Sequence, residues 1–484
     1  MKTRYFLILI VAACLTACSQ RPTDAVQTNE AAPLSPDYAE ITVPATIAPL
    51  NFTLNETFER LYVSFAGNGD TLETSGKQQI RIPLKQWHRL LEANQGGSLQ
   101  VTVYARQEGV WKSYRPFRIH VSPYPIDEGI AYRLIAPGYE VYSQMGIYRR
   151  DLSNFDEKAV YENTLVYPSC VNCHTFKQAD PAYHSLHIRG DYGGTILQRD
   201  GKTDVLNFKV GDLISSGVYP YWHPDGRYIA YSVNQTHQVF HSRNDKRIEV
   251  FDLKSDVIVY DTEEHKIVTT PLLMTDNFES FPSFSPDGKS LYFTCSSFRE
   301  MPKDYQDVHY NLCRIDFDAA TGTFGDRIDT LVYAAREQKS VSFPRPSYDG
   351  KYLMYTLSDY GNFSIWHKEA DLWLLDLRTG ENRPLVEVNS NDTESYHSWS
   401  SNSRWFVFSS RRGDGLYTRP YLASIDEDGH VSKPFLLPQE HTDYYLKTFY
   451  SFNVPDFING DVEWNLDEVA ERLLSKERTL PSIE

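Results

Sequence analysis

The residues best suited to chemistry in this 484-residue chain are Tyr167-Pro-Ser-Cys170-Val-Asn-Cys173-His174-Thr175-Phe176. Cys-x-x-Cys-His is the attachment signature of c-type haem: two thiols add to the haem vinyl groups, and the adjacent imidazole reaches the iron as proximal ligand. With 6 Cys and 14 His in the chain, the pattern arises by chance roughly 0.002 times, so accident is set aside. A redox dithiol would need the pair at the opening of a helix in a βαβ unit. A zinc site would need a second ligand pair. The sequence offers neither context.

With His174 as proximal ligand, the sixth iron position decides the chemistry. A Met or His there gives a closed electron-transfer centre, and an open position admits small molecules. His184 is the first candidate, because a short turn after the motif brings it back toward Cys170–His174. Met145, His187 and His223 are the alternatives. Tyr167, Phe176, Tyr183 and Tyr192 flank the motif as aromatic walls for a porphyrin.

Haem attachment of this kind happens outside the cytoplasm, and the N-terminus reads as an export signal. Lys2 and Arg4 precede an apolar run over residues 6–13, too short to span a bilayer, and Leu15-Thr16-Ala17-Cys18 follows. That ending resembles a bacterial lipobox, which implies cleavage after residue 17 and lipidation of Cys18. Ser19 in place of Asp points to the outer membrane, facing the periplasm. The formal charge of −16 argues against nucleic acid as a partner. Membrane contact is therefore expected through the lipid alone, with an unidentified redox or protein partner.

The rest of the chain supplies the frame. Residues 18–36 read as a flexible tether. Over 37–125, alternating runs at Ile41, Leu61, Gln79, Leu99 and Phe117, with a helix at 84–94, predict an immunoglobulin-like β-sandwich. Residues 126–182 read as a connector holding the haem motif in a loop. Beyond it come Tyr219-Pro-Tyr-Trp-His-Pro-Asp-Gly, Phe281-Pro-Ser-Phe-Ser-Pro-Asp-Gly, Phe343-Pro-Arg-Pro-Ser-Tyr-Asp-Gly and the weaker Tyr396-His-Ser-Trp-Ser-Ser-Asn-Ser. Each is strand, turn, strand, and two more strands fit in each interval, which makes a propeller blade. Cys295 and Cys313 fall on successive strands, as a disulfide or as two buried thiols. Residues 466–476 have the spacing of a terminal helix.

These lines resemble the Pro-Asp-Gly repeats of TolB-like β-propellers, and the order of sandwich, single Cys-x-x-Cys-His and propeller is similar to lipoproteins of Bacteroidetes. The resemblance implies a propeller of six blades, or seven, over 183–460, with a tail at 461–484. It implies no activity, since propellers host many functions. The expected cofactor is one covalent haem c. The expected role is electron transfer or redox sensing, with the propeller as docking platform. The alternatives are a haem enzyme with an open iron site, or a binding scaffold in which haem is structural.

Overall fold

The computed structural model describes residues 21–136, 144–242 and 246–483. Residues 1–17 and Cys18 lie outside the described residues. The fold is all-β in character, and the chain divides into two compact units, 1–125 with 438–447 and 126–437 with 448–484. Among the described residues no helix is long and apolar enough to cross a membrane.

The N-terminal unit is built on one seven-stranded sheet. Ser98–Gln107 lies at its middle. One edge pairs with Arg60–Gly67; the other is shared between Val110–Arg115 and Phe117–Val121. The helix Leu84–Ala93 buries Trp87, Leu90 and Leu91, with Trp87 edge-on to Phe65 at 5.5 Å. Two expectations differ from what is found. Within the expected tether, Val26–Ala31 is a strand, paired in parallel with Val110–Arg115. Its side chains are mostly exposed; an edge strand needs only its backbone satisfied, so polar composition does not preclude it. Residues 79–82 form no strand. Ile80 and Ile82 are buried, but their N–H groups bond to the Phe52 carbonyl and Asn51 Oδ1 in a loop.

The second unit is propeller-like. Four antiparallel sheets of four strands stand separately. A nine-stranded sheet contains two further four-strand meanders joined by a single parallel bridge, Ser255 to Phe278. The first strands touch one another in succession: Ser169–Lys177, Gly217–Trp222, Phe278–Phe284, Ser340–Pro346 and Glu394–Trp399. Ser451–Ile458 touches the last and the first of these. It completes a sheet begun some 300 residues earlier by pairing with Gly129–Ile135. Residues 126–182 are thus not a connector. They supply Gly129–Ile135, Gly146–Asp151 and Glu157–Glu162 to that sheet, and the first strand of the next.

The repeat chemistry explains these hairpins. Gly226, Gly288 and Gly350 have φ of 80, 72 and 70° at the turns, where a side chain would be strained. Oδ1 of Asp225, Asp287 and Asp349 accepts the N–H two residues on. In the weaker copy Asn402 does the same, and Ser403 takes the left-handed conformation at φ 60°. The terminal helix Leu466–Ser475 is capped by Asn465 Oδ1 and packs Val469 and Leu473 against Leu186, Ile188 and Ile196.

Candidate functional site

Cys170, Cys173 and His174 lie on the strand Ser169–Lys177, not in a loop. The Pro and polar neighbours read as loop residues, yet the strand pairs with Asp180–Gly190 along its length. Cysteines three apart on a regular strand face opposite sides of the sheet. Here the register slips between Asn172 and His174, and Cys173 has φ 40°. The bulge adds one residue on this strand and turns Cys173 to the same side as Cys170. Cys170, Cys173 and His174 all line one cavity of about 370 Å³, within the usual range for a small-molecule or cofactor site.

That bulge recurs on every first strand. Tyr219, Phe281, Phe343, Tyr396 and Val454 have φ between 50 and 52°, each beside a register slip. Four of the five are aromatic, and their rings meet in succession: Tyr219 and Phe281 tilted at 4.4 Å, Phe281 and Phe343 tilted at 4.1 Å, and Phe343 edge-on to Tyr396 at 4.9 Å. At the remaining two positions stand Cys173 and Val454. Small side chains there leave the aromatic cluster open on one side, and the cavity occupies the gap.

His174 is 6 % exposed, and neither ring nitrogen makes a hydrogen bond. Burial drives its pKa down to about 3, against an upward pull from a contact with the Ala131 backbone that falls short of full hydrogen-bond geometry. The ring is thus neutral, as a metal ligand must be, with ring nitrogens left over. Burial pushes the Cys173 thiol up, with Arg189 and Arg133 opposing. An unreacted Cys173 is consequently a poor thiolate. An orphaned imidazole and two thiols on one cavity wall fit the donor set of a covalent haem.

Of the four sixth-ligand candidates, only Met145 lines this cavity. Asn163 ties it to the motif: Asn163 Oδ1 accepts the Met145 N–H at 3.0 Å, and Asn163 Nδ2 donates to the Ser169 carbonyl at 3.1 Å. His184 instead packs on Trp464 at 4.7 Å and Phe176 at 6.0 Å. His187 Nδ1 lies 3.0 Å from Thr195 Oγ1. His223 Nε2 lies 3.0 Å from the Gly288 carbonyl, holding the turn of the next meander. Tyr167, Phe176, Tyr183 and Tyr192 are not cavity residues; Tyr219, Phe343, Tyr396 and Trp366 wall it instead. These walls were detectable. Tyr219, Phe343 and Tyr396 each stand six residues before the Asp or Asn of a turn, and Tyr396-His397-Ser-Trp has the form of Cys173-His174-Thr-Phe.

One side of the cavity is formed by an extended hairpin, Tyr228–Phe240 with Ile248–Asp261, through Thr236, Gln238, Ile248 and Val250. The hairpin is fastened by buried polar groups. Glu249 meets His367 Nε2 at 3.0 Å and the Tyr360 hydroxyl at 3.0 Å; Asp252 accepts from Asn234 at 2.9 Å and Asn362 at 2.6 Å. Away from the cavity, Cys295 and Cys313 are free thiols with Sγ atoms 2.7 Å apart.

No protein-family model and no curated protein matches the chain. Among solved structures it is similar to prolyl oligopeptidase B from Galerina marginata, at 12% identity and TM-score 0.36, over 62% of this chain and 43% of that one. A DUF4784 family protein from Bacteroides caccae gives 10% identity and TM-score 0.28, over 73% and 95%. A putative dipeptidyl aminopeptidase IV from Bacteroides ovatus gives 11% and 0.29, over 66% and 60%. The chain spans less than half the length of the prolyl oligopeptidase structure, and likeness at these scores says nothing of chemistry.

Proposed function

We propose that this chain is a monohaem c-type protein of the cell envelope, with the role of electron transfer or redox sensing. Cys170 and Cys173 would hold the haem covalently, and His174 and Met145 would be its axial ligands. The observation that carries the reading is the convergence of Cys170, Cys173 and an unbonded His174 on the one gap in the aromatic cluster. Bound haem supplies one-electron chemistry; the chain's own part is to orient the ligands, exclude water and present docking surface. Lipidation at Cys18, anchoring at the outer membrane and an immunoglobulin-like N-terminal unit belong to the same proposal. So does a six-bladed ring, supported by the two meanders that share only the bridge at Ser255 and by the succession of first strands.

The test is a pyridine haemochrome spectrum and an intact mass on full-length protein made with the haem-attachment machinery. One haem per chain, lost in Cys170→Ala/Cys173→Ala, is the expected result; no covalent haem overturns it. A haem enzyme with an open iron position is the second reading. It is favoured by Met145 also belonging to an apolar cluster with Ile147, Val171 and Phe176. Ferrous protein that is low-spin and does not bind carbon monoxide supports the first reading. High-spin iron that binds it supports the second.

A further inference from the structure

Four arginines line the cavity: Arg133, Arg189, Arg345 and Arg411. They come from four different sheets or their turns, so no local sequence pattern gathers them. Among the described residues none of the four has a carboxylate within ion-pair distance. Arg412, the neighbour of Arg411, by contrast meets Glu394 at 2.9 Å. Arg411 is only 2 % exposed. Its guanidinium stacks on Trp366 at 4.0 Å, Nη1 donates to the Ile365 carbonyl at 3.4 Å and Nη2 to the Gly415 carbonyl, and Nε has no hydrogen-bond partner. Burial pulls its pKa down to about 10. A desolvated guanidinium without a counter-ion is an incomplete arrangement. Arg133 and Arg345 are half-buried and Arg189 is exposed; in a chain of net charge −16, four guanidiniums around one cavity form a localised anion site.

We propose that the cavity binds carboxylates, with Arg411 and Arg345 as the groups that receive them. The proposal rests on the haem reading only for who bears the carboxylate. Haem held through Cys170 and Cys173 would bring two propionate carboxylates to this cavity, for residues of other sheets to receive. Arg345 on Ser340–Pro346 and Arg411 after Trp405–Ser410 are such residues. A diffusible dicarboxylate would meet the same guanidinium forks. Planar, bidentate recognition suits both bearers.

The experiment uses full-length Cys170→Ala/Cys173→Ala protein, which retains His174. It is titrated with protohaem IX and with its dimethyl ester, which lacks both negative charges. Thermal midpoints are measured in succinate against chloride at matched ionic strength. Protohaem binding about tenfold or more tighter than the ester, with the preference lost in Arg411→Gln, assigns the site to propionates. A succinate-dependent rise in midpoint without porphyrin preference, abolished by the same change, keeps the anion site and removes the haem as its occupant. Equal affinity for acid and ester together with no succinate effect overturns the proposal. Arg345→Gln, which leaves the Trp366 stack in place, and the charge-preserving Arg411→Lys guard against misreading a folding defect.

Discussion

His174 meets two demands that a buried residue rarely combines: it is desolvated enough to stay neutral and left without a well-formed hydrogen bond. A histidine kept only for packing normally satisfies at least one nitrogen, as His397 does at the equivalent position of another sheet through the Met354 carbonyl. The motif could be read from five residues, because Cys-x-x-Cys-His is a local pattern. Its partners could not. Met145 and His184 lie 29 residues before and 10 after His174, and only the pairing of sheets decides which of them borders the cavity. In haem-loaded protein, Met145→Ala is expected to convert low-spin ferrous iron to a high-spin form that binds carbon monoxide. His184→Ala should leave the spectrum unchanged. The opposite pair of results would remove Met145 as ligand and restore His184.

At the scale of elements, the site is a departure from a repeated strand. The Asp-Gly turns announced the hairpins because turn chemistry is short-range. The bulge six residues upstream was hidden, since a positive φ at an aromatic residue is not a sequence preference but a consequence of ladder register. Cys173-His174 therefore read as a loop. Val454 tests this account. It has the same backbone conformation as four aromatic residues, so Val454→Phe is expected to fold and to close the gap. Intact mass should then lack the haem increment while the thermal midpoint of haem-free protein stays level or rises. Full haem loading in that variant would mean the gap is not the haem's place. The hairpin beside the cavity makes a separate prediction. His367→Ala leaves Glu249 with one partner fewer in a site where both side chains are nearly inaccessible. The expected cost is about 2 kcal/mol, read from denaturant midpoints, with faster proteolysis in the hairpin. An unchanged midpoint would mean that the hairpin is held by its apolar face alone.

At the scale of the molecule, ionisable groups buried in the second unit pull its stability in opposite directions over one pH interval. Burial lowers His184 to about 4, and His187 and His397 to about 3. An unfolded chain would protonate these rings near 6.5, so their contribution is present above that value and is lost as the pH falls toward 4 and 3. Burial raises Asp252 to about 6, against bonds from Asn234, Asn362 and Tyr310, and raises Glu279 to about 7. Their contribution is complete below about 4, where the unfolded carboxyls are also protonated, and is lost as the pH rises through 6 to 7. A wild-type curve alone mixes the two slopes. Single substitutions separate them. Measured by urea unfolding of haem-free protein between pH 4 and 7, wild type is expected to lose stability relative to His184→Gln as the pH falls, and relative to Asp252→Asn as it rises. A flat difference would show that the group is solvated in the folded chain, and a difference running the other way would show that its charged form is stabilised there.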